Sequence, residues 1–133
     1  MTSKVTYKGD LRTEAYHIQS GNSIVTDAPV DNQGKGEAFS PTDLVATALA
    51  SCMLTIMGIV AERNDVELKG TIAEVEKTMG TMPRQISKIK IKIFFNKNFD
   101  KITKRKLESA ALTCPVSNSL NKTLEESIKF IYP

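Results

Sequence analysis

"SPTDLVATALASCMLTIMGIVAER", residues 40–63, is the stretch from which the rest of this chain is read. From Leu44 to Val60 it carries no charged residue. Its start is sharply marked. Ser40 suits an N-cap. Pro41 suits the first helical position, because its missing N–H would find no partner there. Asp43 falls where a carboxylate can reach back to the cap. The pattern predicts a helix running to about Arg63 and ended by Asn64-Asp65. Such a helix is apolar nearly all round, so it should be central and covered on most sides. Ala46, Ala50 and Ser51 are small and admit close approach of another helix. A membrane-spanning helix needs about 20 apolar residues. This run is shorter, includes Thr47, Ser51 and Thr55, and is bounded by Asp43 and Glu62-Arg63. It reads as buried in protein, with no membrane partner.

The chain has 133 residues and reads as a single domain over residues 1–133. That is little material for wrapping such a helix, so a homodimer sharing one core is the natural expectation. With 6% aromatics and no Trp, the core must be aliphatic, with Met filling gaps. A net charge of +3 decides little. Lys104-Arg105-Lys106 lies between Asp100 and Glu108 and reads as a solvated helix face, so no nucleic-acid partner is expected.

Around the central helix the periodicity changes. Residues 3–9 and 11–18 read as strands about a Gly9-Asp10 turn, and residues 22–26 as a third strand. "DAPVDNQGKGEAF", residues 27–39, reads as a loop long enough to carry function. Residues 66–78 predict a strand and "MGTMP" a turn. In "SKIKIKIFF", residues 87–95, Ile89, Ile91, Ile93 and Phe95 alternate with Lys88, Lys90 and Lys92, which predicts one buried and one wet face. Residues 100–113 predict an amphipathic helix with Ile102, Leu107, Ala110 and Ala111 inward. "CPVSNSL" opens a short helix, and "SIKFIY" is a final strand. The order is three strands, helix, two strands, two helices, strand. That is an α+β domain, with helices segregated from antiparallel sheet.

The chemistry rests on few residues. The N-terminus has no apolar signal segment, so the expected location is cytoplasmic, where paired cysteines tend to be redox-active. Cys52, Cys114 and His17 show no metal-ligand spacing. No structural zinc site is expected within one chain. Cys114 precedes Pro115, so it should cap a helix N-terminus, whose free N–H groups favour thiolate over thiol. Cys52 lies in apolar surroundings, which by themselves make a thiol inert. It needs a cation or a donor at its sulfur. Arg63 is eleven residues along the same helix, about 16 Å away. Arg12 and Arg84 remain as candidates. Glu37, in the loop, has no obvious structural duty. His17, in an alternating strand, reads as a satisfied or solvent-facing side chain.

"FSPTDLVATALASCM", followed some sixty residues later by "CPVSNSL", resembles the osmotically inducible protein C and organic hydroperoxide resistance (OsmC/Ohr) family, in its broader OsmC-like branch. "LRTEA" near the start extends the resemblance over most of the chain. The resemblance implies an α+β intertwined homodimer, with two long central helices flanked by curved antiparallel sheets and sites at the subunit interface. It implies that Cys52 is the peroxidatic thiol and Cys114 the resolving one. The substrate would be an organic hydroperoxide and the reductant a dithiol, with no metal or organic cofactor required. Family peroxidases pair an arginine with a glutamate near the thiol. Here Thr42-Asp43 stands at the helix start and the loop holds no arginine, so Asp43 and Arg12 are the candidates for those roles. Phe39, Met53 and Met57 are the candidate substrate-binding residues, with Met79 and Met82 as further possibilities. The competing expectation is a non-peroxidase of the same fold that binds or senses a small apolar or thiol-reactive metabolite at the dimer interface.

Overall fold

The computed structural model describes residues 1–133, in the order β1 (Ser3–Gly9), β2 (Arg12–His17), β3 (Ser23–Asp27), α1 (Pro41–Arg63), β4 (Ile72–Thr81), β5 (Arg84–Phe94), α2 (Lys101–Ala111), α3 (Pro115–Ser119) and β6 (Glu125–Ile131). This is an α+β fold with two three-stranded sheets, β1-β2-β3 and β4-β5-β6. Contacts divide the chain into two compact units, Met1–Val45 and Ala46–Pro133.

In the first unit β2 pairs antiparallel with both neighbours. The loop after β3 is closed at its base. Asp27 N–H donates to the Phe39 carbonyl at 3.1 Å, and Gly36 N–H to the Ala28 carbonyl at 3.2 Å. Gly34 is required there, since a Cβ on it would lie 1.7 Å from the Ala28 carbonyl oxygen. The α1 start is as predicted. Ser40 N–H donates to Asp43 Oδ2 and Asp43 N–H to Ser40 Oγ, both at 3.0 Å, a reciprocal cap.

The second unit holds the aliphatic core. Ala46, Leu49, Ala50, Met53, Met57 and Ala61 form a stripe at helical spacing on α1. It packs with Ile89, Ile91, Ile93 and Phe95, with Leu107 and Ala111 of α2, and with Cys114. The Ile-Lys alternation is therefore resolved as predicted, isoleucines in and lysines toward solvent. Between Thr78 and Met79 the register shifts, leaving Ser87 as an extra residue on β5. That bulge turns Ile86 back onto the core despite its odd spacing from Ile89.

Three expectations are corrected. The β4-β5-β6 sheet is mixed, because β6 runs parallel to β5. Antiparallel neighbours can be joined by a hairpin, whereas the β5–β6 connection contains α2 and α3 and returns the chain to the end where β5 began. Ile102 points outward, at 64% exposed. It lies about 140° around the helix from Leu107, off the inward stripe. Finally, α1 is not covered on most sides within one chain. It is long and apolar enough to cross a membrane by length and composition, yet only 33% of its most apolar stretch is buried. Three isoleucines of one sheet, with Phe95, Leu107, Ala111 and Cys114, cover one stripe and no more.

Candidate active site

The second unit brings the two cysteines together, although they are far apart in the chain. Both are free thiols, Cys52 half-buried on α1 and Cys114 fully buried at the start of α3. The sulfurs are near enough to interact directly. Pro115 fixes the local structure. Cys114 is extended, at φ −70° and ψ 150°, and caps α3. The Ser117 N–H donates to Cys114 Sγ at 3.4 Å. The expected effect of that cap on acidity is reversed. Burial pushes the Cys114 thiol above its ordinary value of 9.0, and the neighbouring Cys52 pushes the same way. The Ser117 N–H opposes both and loses, because removing a thiolate from water costs more than one backbone donor returns.

The helical period places Ala48, Ile56 and Ile59 on the face of α1 that carries Cys52. Ile56 is half-buried and Ile59 is 42% exposed. Met53 and Met57 are fully buried in the core stripe. Neither presents surface to a ligand in the single chain, because they sit about 100° and 140° around the helix from Cys52.

The first unit holds the charged residues. The β2–β3 register sets Arg12 opposite Asp27. Arg12 Nε donates to Asp27 Oδ1 at 2.7 Å and Nη2 to Oδ2 at 2.8 Å, a bidentate pair. Asp27 is only 1% exposed. Glu37 now has a duty. Its N–H donates to Asp27 Oδ2 at 3.2 Å, and its carboxylate lies 3.8 Å from Arg12 Nη2. The hydrogen bond from Arg12 holds the Asp27 carboxyl below its ordinary 3.8, against the opposing effect of burial. The same contact raises Arg12.

A depressed folded pKa means that this stabilisation is complete above the unfolded value and is lost as pH falls through the folded one. On acidification below 3.8 the protein should therefore lose stability. Asp27→Asn should lower Tm at neutral pH and flatten the acid limb. Thermal melts across acidic pH check this, and parallel acid limbs in the two proteins would rule it out.

Asp43 belongs to the helix cap already described, and Phe39 is 53% exposed. Arg84 is exposed at the start of β5, Met79 is half-buried in β4, and Met82 is 93% exposed at the hairpin tip. His17, the last residue of β2, is exposed, with Nδ1 2.6 Å from Ser20 Oγ in the turn that follows.

Sequence reasoning missed Asp27, Ser117 and Glu126. Asp27 was findable. Counting four places outward from the Tyr16–Ser23 pair reaches Arg12 and Asp27. Ser117 Oγ donates to both carboxylate oxygens of Glu126 at 2.9 Å, a contact for which adjacent sequence gives no signal.

A buried thiol beside a half-buried one, on an α+β scaffold of two three-stranded sheets, defines a dithiol protein. The chain belongs to the OsmC family: the family model described as OsmC-like protein matches residues 34–129. It is similar, at 55% identity and TM-score 0.95, to a Psychrobacter arcticus 273-4 protein named for osmotic stress induction and detoxification response, over 98% of this chain and 95% of that one. It shares the fold of an organic hydroperoxide resistance protein of Legionella pneumophila, at 16% identity and TM-score 0.76, over 98% and 97% of the two chains. An organic hydroperoxide resistance protein of Elizabethkingia anophelis matches at 14% identity and TM-score 0.76, over 100% and 97%. No functionally curated protein matches the sequence.

Proposed function

We propose that this protein is a cysteine-based peroxidase that reduces organic hydroperoxides to alcohols. The observation that supports it best is the pairing of half-buried Cys52 with buried Cys114. In this reading the Cys52 thiolate attacks the terminal peroxide oxygen. An S–O bond forms, the O–O bond breaks, and the alkoxide leaves and takes a proton to become the alcohol. Cys114, as thiolate, then attacks the Cys52 sulfenic sulfur. The S–S bond forms and hydroxide leaves as water. An external dithiol reduces the disulfide by exchange and is itself oxidised. A reducing compartment such as the cytoplasm suits such a cycle.

Two copies of the chain would share α1. The exposed apolar residues of that helix, Val45 and Ile59, support this, as do Val5, Tyr7 and Ile24 on the first sheet. Such pairing would leave Cys52 in apolar surroundings, which favours a greasy peroxide over hydrogen peroxide. Arg12 is the candidate activating cation, oriented by Asp27.

Intact-protein mass spectrometry after one equivalent of cumene hydroperoxide tests the reading. The expected product has lost two hydrogens through an intrachain disulfide, with one alcohol released. An unmodified dithiol would overturn it. A retained small adduct without turnover would instead assign the protein to metabolite binding or sensing.

A further inference from the structure

Glu126 breaks the pattern of its strand. In the parallel β5–β6 pair it sits opposite Ile89, as Ile128 sits opposite Ile91 and Phe130 opposite Ile93. Those isoleucines are fully buried, so the positions of Glu126, Ile128 and Phe130 face the core side of the sheet. A carboxylate at such a position is costly unless it is well bonded. Here the bond comes from Ser117, whose hydroxyl meets both oxygens of Glu126 at 2.9 Å. Ser117 is also the residue whose N–H donates to Cys114 Sγ.

We propose that Glu126 and Ser117 are positioning residues for Cys114. Glu126 grips the Ser117 side chain from β6, and the Ser117 amide is thereby held against the sulfur. The grip fixes the first turn of α3 and the direction of the Cys114 sulfur toward Cys52. Disulfide formation needs that direction, because the bond demands a narrow range of Cβ–S–S–Cβ angles. The turn itself is too short to hold a fixed geometry alone, since isolated short helices are marginal. The role extends the peroxidase reading to its resolving step, but it concerns placement of one thiol and can be measured without a peroxide.

Diamide supplies that measurement. Two thiols give two protons and two electrons to its N=N bond, and the S–S bond forms. The rate of Cys52–Cys114 disulfide formation is followed by quenched mass spectrometry across pH. Ser117→Ala and Glu126→Ala should each slow it about tenfold, the size of one lost hydrogen bond. Glu126→Gln keeps an acceptor for Ser117 and should restore most of the rate. As a separate control that does use a peroxide, dimedone trapping of the Cys52 sulfenic acid formed by cumene hydroperoxide, in a Cys114→Ser background, should not change with either Ala variant. Wild-type disulfide rates in Glu126→Ala or Ser117→Ala would overturn the proposal. So would a Glu126→Gln rate as slow as that of Glu126→Ala, since charge and not placement would then be at work. If Glu126→Ala does not fold, Ser117→Ala decides the matter alone. Diamide results as expected, with no reaction toward cumene hydroperoxide, would remove the peroxidase reading and leave this one standing.

Discussion

Cys52→Ser should abolish hydroperoxide-dependent dithiol oxidation, by on the order of 10³-fold or more, because it removes the proposed nucleophile. Serine keeps the shape of the side chain, so a fold effect is not expected at a half-buried site. Cys114→Ser should behave differently. It should still form a sulfenic acid on Cys52 and release one alcohol, but stop before the disulfide. Coupled peroxidase assays with cumene hydroperoxide and a dithiol, with dimedone trapping, separate the two variants. Unchanged turnover in Cys52→Ser would sink the mechanism. The raised pKa of Cys114 adds a pH signature. Only the thiolate attacks, so the step from sulfenic acid to disulfide should accelerate as pH rises toward and past 9.0.

The largest stability effect should come from the face that α1 and β5 share. Ile91 is fully buried against the helix stripe. Ile91→Ala should cost about 2–5 kcal/mol, from lost burial and the cavity left behind. Urea unfolding checks it through a lower midpoint at similar slope. Ile59 provides the contrast. It is 42% exposed on the uncovered side of α1, so Ile59→Asp should leave the core of the second unit intact. If two copies share that side, Ile59→Asp should shift the protein to monomer in analytical ultracentrifugation. An Ile91→Ala midpoint equal to wild type would deny that this face carries the stability. A variant Ile59→Asp that sediments as the parent does would deny the shared helix.

The order of elements was legible because each carries a local signal. Ser40-Pro41 and Asp43 mark a helix start by hydrogen bonds made within four residues. The isoleucines of β5 declare their face by alternation alone. Cys114 was readable as a cap because proline restricts the residue before it. Its acidity was not readable, since the helix-start effect is local and burial is not. The direction of β6 was half-legible. Some thirty residues holding two helices separate it from β5, more than a hairpin needs and enough for a crossover.

Periodicity, caps and proline act over a turn or a strand, so the helices, the strands, the alternating core face and the two candidate cysteines are written in adjacent residues. Tertiary structure alone decided that Cys52 meets Cys114, that burial outweighs the cap at Cys114, and that an inward Glu126 finds Ser117. These depend on desolvation and on contacts between residues distant in the chain, and neither quantity is written in any window of adjacent residues.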